Sequence, residues 1–529
     1  MKRQRDYIRR QPCRTSGYAG ARGDNGSMQD SEPTLIRSLR DPARYPHTVD
    51  RVELVETHIS WVLLAGEFAY KIKKPVTLPF LDYGTVDKRR AHCAAELRLN
   101  RRFAPQLYLD VVDFDGEPAV KMRRFDEQAR LDHVCKRGGL KPAHLSGLAA
   151  LLARFHGTAD IAPAASRFGT PAAVLDPALE NFTELRSLTG DIFAAELDAL
   201  EAWTRAEFAH RQAAFTTRKA AGCIRECHGD LHLGNMMLID DAVIPFDCIE
   251  FNEDFRWIDV VSEIAFTLVD LLDHGQPGLA TWLINEWLTE TGDYAALDVL
   301  RFYMAYRALV RAKVAAIRAC QQKAPNAIAA ADCPEVRDYL TLAQKIGGSP
   351  VPRGRVPFRV FPSVTPTMTI TCGVSGSGKT TLSSARMLAE PHASTIRLRS
   401  DVERKHLFGI AHDDSSGSGL DAGIYTPEAT TRTYARLAEL AESLLEGGWS
   451  VLVDAAFLKR EERAAFHAIA LRHGVPFAIL ACKATPDELR RRVAARRGDA
   501  SEATLDVLER QFGWFEPLDA AERALSVAG

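Results

Sequence analysis

Two constellations in this chain are suited to chemistry, and both fit the handling of phosphate. One is the unbroken run Gly373-Val-Ser-Gly376-Ser-Gly378-Lys379-Thr380-Thr381, which satisfies the pattern G-x-x-x-x-G-K-[ST]. Its glycines allow a tight turn in which successive backbone N–H groups converge on phosphate oxygens. Lys379 is then expected to reach the β- and γ-phosphates of ATP, the Thr380 hydroxyl to hold Mg²⁺, and Thr381 to lie beside it at the nucleotide. A β-type stretch, Met368 to Cys372, precedes the loop, and helix-forming residues follow from Leu382. Strand, loop and helix in that order are the context the motif needs. Farther on, Ser450-Val-Leu-Val-Asp454 reads as a hydrophobic strand ending in an aspartate that would orient the same Mg²⁺. Between them a strand ends at Ser400, and Asp401 and Arg404 open a helix.

The other constellation is His228-Gly-Asp230-Leu-His-Leu-Gly-Asn235, then an apolar Met-Met-Leu-Ile stretch, a turn, and Val243-Ile-Pro-Phe-Asp247. Asp230 and Asn235 stand five residues apart, and Asp247 closes a second apolar strand twelve residues later. Phosphoryl transfer has a use for each type. One carboxylate orients the acceptor hydroxyl, while an amide and a second carboxylate hold Mg²⁺ against the triphosphate. Taken singly, the same residues also suit a capped polar turn between two strands.

At these residues the chain resembles the aminoglycoside phosphotransferase branch of the protein-kinase-like fold, with H-G-D-x-x-x-x-N standing where protein kinases carry H-R-D-x-x-x-x-N. The resemblance implies that Asp230 is the catalytic base and that Asn235 and Asp247 are metal ligands. It also gives Glu67-Phe-Ala-Tyr-Lys71-Ile-Lys73 the place of the strand whose lysine pairs with the α- and β-phosphates. Lys71 and Lys73 share a face of such a strand. Lys71, with Ala69 two residues before it, is the preferred candidate, and Glu96 is the helical partner expected to meet it. A G-x-G-x-x-G loop is absent.

From about Thr367 onward the chain resembles the P-loop small-molecule kinases, a group that includes gluconate kinases, zeta toxins and polynucleotide 5′-kinases. The D-x-x-R of Asp401 and Arg404 stands where polynucleotide kinases carry a general base and an arginine for substrate phosphate. The resemblance therefore makes Asp401 the second catalytic carboxylate and gives Arg404 a phosphate to bind. The arginine-dense segment from Leu489 to Ala503 resembles the lid of these kinases, with Arg496 closing over the transferred phosphoryl group. An exposed basic helix is the plainer reading of it. Arg307, Arg311 and Arg318 recur along one predicted helix, which reads as a solvated basic face or a cradle for an anionic substrate.

The elements that must position these residues follow from periodicity. Strand-like alternation at Val52–Glu56, Ser60–Leu64, Ala69–Lys73 and Leu107–Val112 surrounds a helical block from Val86 to Ala104. Amphipathic helices then run to about Gly347, interrupted by the strand–loop–strand patch around Asp230. Five prolines between Gly347 and Pro366 read as a linker. Beyond it strands alternate with helices, as in a parallel α/β sheet. The predicted organisation is thus a disordered tail (1–34), an α+β kinase-like phosphotransferase domain (35–346), a linker (347–366), and an α/β P-loop NTPase domain with a parallel sheet (367–529). The first 27 residues lack the apolar core of a secretory signal and read as a tail, or as an extension upstream of a start at Met28.

Composition excludes few classes but narrows the partners. A charged fraction of 26% and a hydrophobic fraction of 46% are ordinary for a globular chain. A net charge of −2 gives no general attraction to nucleic acid or membrane. Ten scattered cysteines without a C-x-x-C pair fit reduced thiols in the cytoplasm. The resulting expectation is a cytoplasmic, ATP- and Mg²⁺-dependent phosphotransferase with two nucleotide sites and small-molecule hydroxyl acceptors. Two rivals stand beside it: a C-terminal kinase for nucleic-acid 5′-ends, and a regulatory protein whose first nucleotide site does not catalyse.

Overall fold

The computed structural model describes residues 33–78, 81–322, 333–347, 365–417, 423–495 and 503–527. All but the last two residues of the expected tail, most of the proline-rich linker, and Arg496 lie outside the described residues.

The chain first builds an antiparallel sheet from β1 (Val52–Glu56), β2 (Ser60–Ala65), β3 (Phe68–Lys73), β4 (Tyr108–Phe114) and β5 (Glu117–Arg123), in the order β1-β2-β3-β5-β4. Helix α1 (Val86–Asn100) packs on β4 and β5. The sequence reading named no strand at β5, where Pro118-Ala119-Val120 is an unbroken apolar run opened by a proline and only Val120 to Arg123 alternates. What creates it is the turn Asp115-Gly116, both at positive φ, which matches the twist of a two-residue hairpin.

A helical lobe follows, with α2 (Pro142–Thr158), α3 (Pro171–Thr189) and α4 (Ala194–Ala220) leading to short strands β6 (Ile224–Glu226), β7 (Met236–Ile239) and β8 (Ala242–Pro245). Strands β7 and β8 pair as a hairpin, and β6 pairs with β9 (Trp257–Asp259). The lobe closes with α5 (Val260–Asp273), α6 (Pro277–Thr291), α7 (Leu297–Gln322) and α8 (Pro334–Gly347). Helix α5 is apolar on nearly every face and runs through the core. This unit is α+β, an antiparallel sheet with α1 followed by a helical lobe.

The second unit is α/β, built on a parallel sheet of β10 (Met368–Cys372), β11 (Thr395–Arg399), β12 (Ser450–Asp454), β13 (Phe477–Ala481) and β14 (Ser526–Val527), in the order β11-β12-β10-β13-β14. Strands β10 and β12 are buried along their whole length, as parallel strands sandwiched by helices are. The connecting helices include α9 (Lys379–Leu388), α10 (Ser400–Leu407), α11 (Pro427–Glu446), α12 (Arg460–Arg472), α13 (Pro486–Ala495) and α14 (Leu505–Trp514). Helix α9 starts at Lys379, three residues before the expected Leu382, because Gly378 adopts a left-handed conformation and lets the helix begin at once. The buried apolar residues of the helical lobe and of this second sheet form one contiguous core.

Candidate active sites

The first site lies where α1, β3 and the loop between β6 and β7 converge. Gly229 makes that loop possible: its φ is +92°, and a Cβ there would come 2.7 Å from the Phe255 carbonyl oxygen. Glu263 on α5 accepts from the backbone N–H groups of His228 and Gly229, and also meets His156 Nε2 at 2.7 Å. Burial alone would raise this carboxyl; His156, His228 and the backbone donors bring it below its ordinary value, so it stays ionised and clamps the loop. His228 in turn donates from Nε2 to the Phe246 carbonyl at 2.8 Å, which ties the loop to the residue before Asp247.

Asp230 sits at the mouth of this loop with 35% of its side chain exposed. Asn235 donates its amide N–H to the Asp230 carboxylate at 2.9 Å and to the Asp230 carbonyl at 3.0 Å. Burial opposes the charge on Asp230, but His232, with Nε2 3.6 Å away, together with His228 and Arg307 takes the carboxyl well below the carboxylate range. At neutral pH it is therefore an anion and a hydrogen-bond acceptor.

Lys71 and Lys73, indistinguishable by strand face, differ in their partners. Lys71 Nζ lies 2.9 Å from Glu96 and 2.6 Å from Asp247, and 14% of its side chain reaches solvent. Lys73 is fully buried, 2.6 Å from the other Glu96 oxygen, with Glu250 and the Tyr83 hydroxyl completing its surroundings. Burial works against both ammonium groups, yet the carboxylates raise both above the ordinary lysine value. Asp247 holds a positive φ of 64°, a left-handed conformation that aspartate tolerates better than most residues. Its backbone N–H donates to the Tyr108 hydroxyl, and its side chain is 42% exposed. Because Asn235 commits its N–H to Asp230, its amide oxygen is the atom left for a cation. An amide and a carboxylate oxygen form a donor set suited to Mg²⁺.

The basic helix face read from Arg307, Arg311 and Arg318 divides. Arg307 is buried against Ser262 and Arg311 pairs with Asp270 at 3.3 Å and with the Tyr339 hydroxyl, whereas Arg318 is solvated and faces the exposed Glu335. The first two are internal ties, with Asp270 also accepting from the Leu233 N–H in the Asp230 loop. Sequence reasoning missed Glu250, Glu263 and Asp270, whose partners lie tens of residues away in the chain.

The second site is a cleft of about 1980 Å³ lined by the glycine loop, by Asp401, Arg404 and Arg399 on one side, and by Gln511, Trp514 and Phe515 on another. Lys379 folds back on the loop, donating to the Gly373 and Val374 carbonyls at 2.9 and 3.0 Å. The buried Ser377 hydroxyl finds no hydrogen-bond partner among the described residues, an orphan inside the loop that lines the cleft. Thr380 and Thr381 line the same space. Asp454, at the end of β12, is buried and accepts from Ser383 Oγ at 3.0 Å. A hydroxyl, a carboxylate and an anion-binding loop in one cleft fit a metal–triphosphate.

Asp401 stands in the first turn of α10. Arg404 is buried beside it, donating to the Ile424 carbonyl at 3.0 Å and to Thr430 at 3.1 Å and lying 5.1 Å from the Tyr425 ring centroid. Its Nε has no partner among the described residues. In the described part of the expected lid, Arg492 reaches the Gly376 carbonyl at 3.3 Å, while Arg490 is held by Glu509 at 2.7 Å. Gln511, which the sequence gave no reason to single out, accepts from the Ser375 N–H of the loop at 2.6 Å.

Comparison with known proteins adds three findings. The AAA domain family matches residues 368–518. Uncharacterized protein Rv2004c of Mycobacterium tuberculosis strain H37Rv is 30% identical over 474 residues, 88% of this chain and 91% of the relative, and Uncharacterized protein Mb2027c of Mycobacterium bovis matches to the same extent. Among solved structures, the ADP-bound aminoglycoside phosphotransferase APH(2'')-Ib covers 59% of this chain and 96% of its own, at 15% identity and a TM-score of 0.35. A choline kinase from Cryptosporidium parvum covers 55% and 87%, at 11% identity and a TM-score of 0.35.

Proposed function

The chain belongs to the family of these mycobacterial proteins, and we propose that it joins a kinase-like phosphotransferase unit to a P-loop kinase unit, each transferring the γ-phosphate of ATP to a hydroxyl group of a small molecule. The observation that carries the reading is the pairing, at each of two sites, of a cleft-facing carboxylate with a built phosphate-binding device. At the first, His228 ties the Asp230 loop to Phe246, the residue before Asp247, and Asp247 pairs with Lys71. At the second, Asp401 and the glycine loop line one cleft.

Asp230 is too acidic to be a strong base. It accepts a hydrogen bond from the acceptor hydroxyl and orients it, taking the proton as the phosphorus–oxygen bond forms, which a loose transition state permits. Lys71 holds the α- and β-phosphates once the nucleotide displaces it from Asp247. At the second site Asp401 takes the same part, Lys379 turns from the loop carbonyls to the β- and γ-phosphates, and Arg404 binds an anionic group of the acceptor. Asn235 and Asp247 at one site, and Thr380 and Asp454 at the other, are the residues that would hold Mg²⁺, which when bound neutralises the triphosphate. Closure by the arginine segment that contains Arg496 would exclude water from the second site. The place of action we assign is the cytoplasm; no described helix is long and apolar enough to cross a membrane.

The pairing of Arg490 with Glu509 and of Arg492 with Glu488 speaks against a basic track for nucleic acid at the second site. The reading is tested by incubating the purified chain with ATP and a metabolite extract and following mass gains of one phosphate. Asp230→Ala and Asp401→Ala should each remove a different product. Products that persist in both variants would sink the reading.

A further inference from the structure

The edge strand β11 of the second sheet presents backbone groups with no neighbouring strand, and such edges need cover. Here the cover is a side chain from the other unit. Asn285, on α6 of the helical lobe, accepts from the Arg397 N–H at 2.6 Å and donates to the Thr395 carbonyl at 2.9 Å. Those are the two bonds an adjacent strand would make. Helix α6 comes this close because of Gly278, where a Cβ would lie 2.0 Å from the Leu388 carbonyl oxygen at the end of α9.

One residue beyond Asn285, Glu286 reaches over the strand edge to the guanidinium of Arg397 at 3.4 Å. Arg397 is almost fully buried and donates to Ser384 Oγ at 2.9 Å and Ser383 Oγ at 3.4 Å. Ser383 Oγ in turn meets Asp454 Oδ2 at 3.0 Å. On its other side Glu286 is fixed within the first unit: Ser146 of α2 donates to it at 2.8 Å, and the Trp282 indole N–H donates to Ser146 at 2.9 Å. A continuous polar chain therefore runs from α2 of the first unit to the buried carboxylate of the P-loop site. Tyr294, just past α6, adds a parallel tie by donating to Glu403 on α10 at 2.7 Å.

We infer that Glu286 is a positioning residue for the P-loop site, supplied by the other unit: it balances Arg397 so that Asp454 keeps its negative charge for a divalent cation. Arg397 is a buried cation that meets the Glu286 carboxylate directly and the Asp454 carboxylate through Ser383 Oγ. With Glu286 present the guanidinium is shared. Without it the charge falls to Asp454 alone, and Arg397 competes with the metal for that carboxylate. Outer partners of this kind commonly change metal affinity by about 10- to 100-fold. This inference rests on the reading of Asp454 as a metal-binding residue.

The test uses the full chain in a Lys71→Ala, Asp247→Ala background, which removes the phosphate-binding lysine and the metal carboxylate of the first site, so that the second site is read. Mn²⁺ binding in the presence of ADP is followed by electron paramagnetic resonance of the free ion, alongside metal-free ADP affinity and thermal melting. Glu286→Gln should raise the Mn²⁺ half-saturation about tenfold, with metal-free ADP affinity and melting close to the parent. Ser146→Ala, which only loosens Glu286, should shift it in the same direction by less. An unchanged half-saturation in both variants, or a change that merely follows melting and metal-free ADP affinity, would overturn the inference. Lys379→Ala is the control. If it leaves ADP binding intact, the P-loop reading itself fails and this inference with it.

Discussion

Lys71 and Lys73 show how partners decide what two neighbouring cations do. Lys73 neutralises Glu96 and Glu250 in a space without water, so Lys73→Ala leaves buried carboxylates uncompensated. A loss of about 3–5 kcal/mol is expected in urea unfolding. Lys71 touches the same Glu96 but opens to the cleft through Asp247. Lys71→Ala should lower turnover at the first site by about 100-fold or more, with little change in unfolding and none in the P-loop reaction. Equal effects on stability from the two substitutions would contradict this division. Asp230 gives a second prediction. His232 is the strongest of the groups depressing its carboxyl, so His232→Ala lets that value rise. The pH at which this carboxyl takes up its proton, followed by carbon NMR of labelled aspartate, should then move up. A carboxyl that titrates as in the parent would mean that His232 does not set the charge of Asp230. From sequence alone Lys71 and Lys73 could not be separated, because a two-residue spacing puts both on one face and their distinguishing partners, Asp247 and Glu250, are remote. Asp230, Asn235 and the glycine loop were legible because their spacing is local.

At the scale of elements, the Asp230 loop is held from both ends by buried acids. Glu226 at the end of β6 receives both guanidinium nitrogens of Arg98 from α1 at 2.8 Å, with Arg102 at 3.2 Å and Arg256 at 3.1 Å. Burial opposes its charge, but the arginines draw its carboxyl down to about 2. A depressed carboxyl stabilises the fold fully above its unfolded value and loses that contribution as pH falls toward about 2. Glu226→Gln should therefore cost about 3 kcal/mol at pH 7 and flatten the loss of stability between about pH 4.5 and 2. Urea melts at both ends of that range check it, and a variant with the parent's acid sensitivity would show that the network does not carry the effect. Most strands were legible from alternation or from buried runs, but β5 was not. Its identity comes from the Asp115-Gly116 turn and from pairing with β3 and β4, a tertiary cause. Arg307 and Arg311 of α7 likewise read as part of a surface stripe, since a helical period cannot reveal that Ser262, Asp270 and Tyr339 cover them.

Across the whole molecule, the two units share one core and a polar seam, so neither is complete alone. Helix α6 closes the β11 edge, and Arg301 of α7 donates to the Gly447 and Gly448 carbonyls while stacking 4.0 Å from the Trp449 ring centroid. Such a seam leaves little trace in the sequence, where Asn285 and Arg397 stand more than a hundred residues apart and carry no motif. A fragment of residues 367–529 should expose the β11 edge, melt below the full chain and self-associate in light scattering. Gly278→Val in the full chain should reproduce part of that behaviour. A fragment as stable and monodisperse as the parent would show the seam to be incidental.

The claim at the centre is that one chain carries two phosphoryl-transfer sites, and ATP turnover in three variants tests it most directly. With acceptors found from the metabolite extract, Asp230→Asn should abolish formation of one phosphorylated product and spare the other. Asp401→Asn should do the reverse, and the double variant should retain neither. A double variant that still phosphorylates either acceptor at the parent's rate would contradict the account.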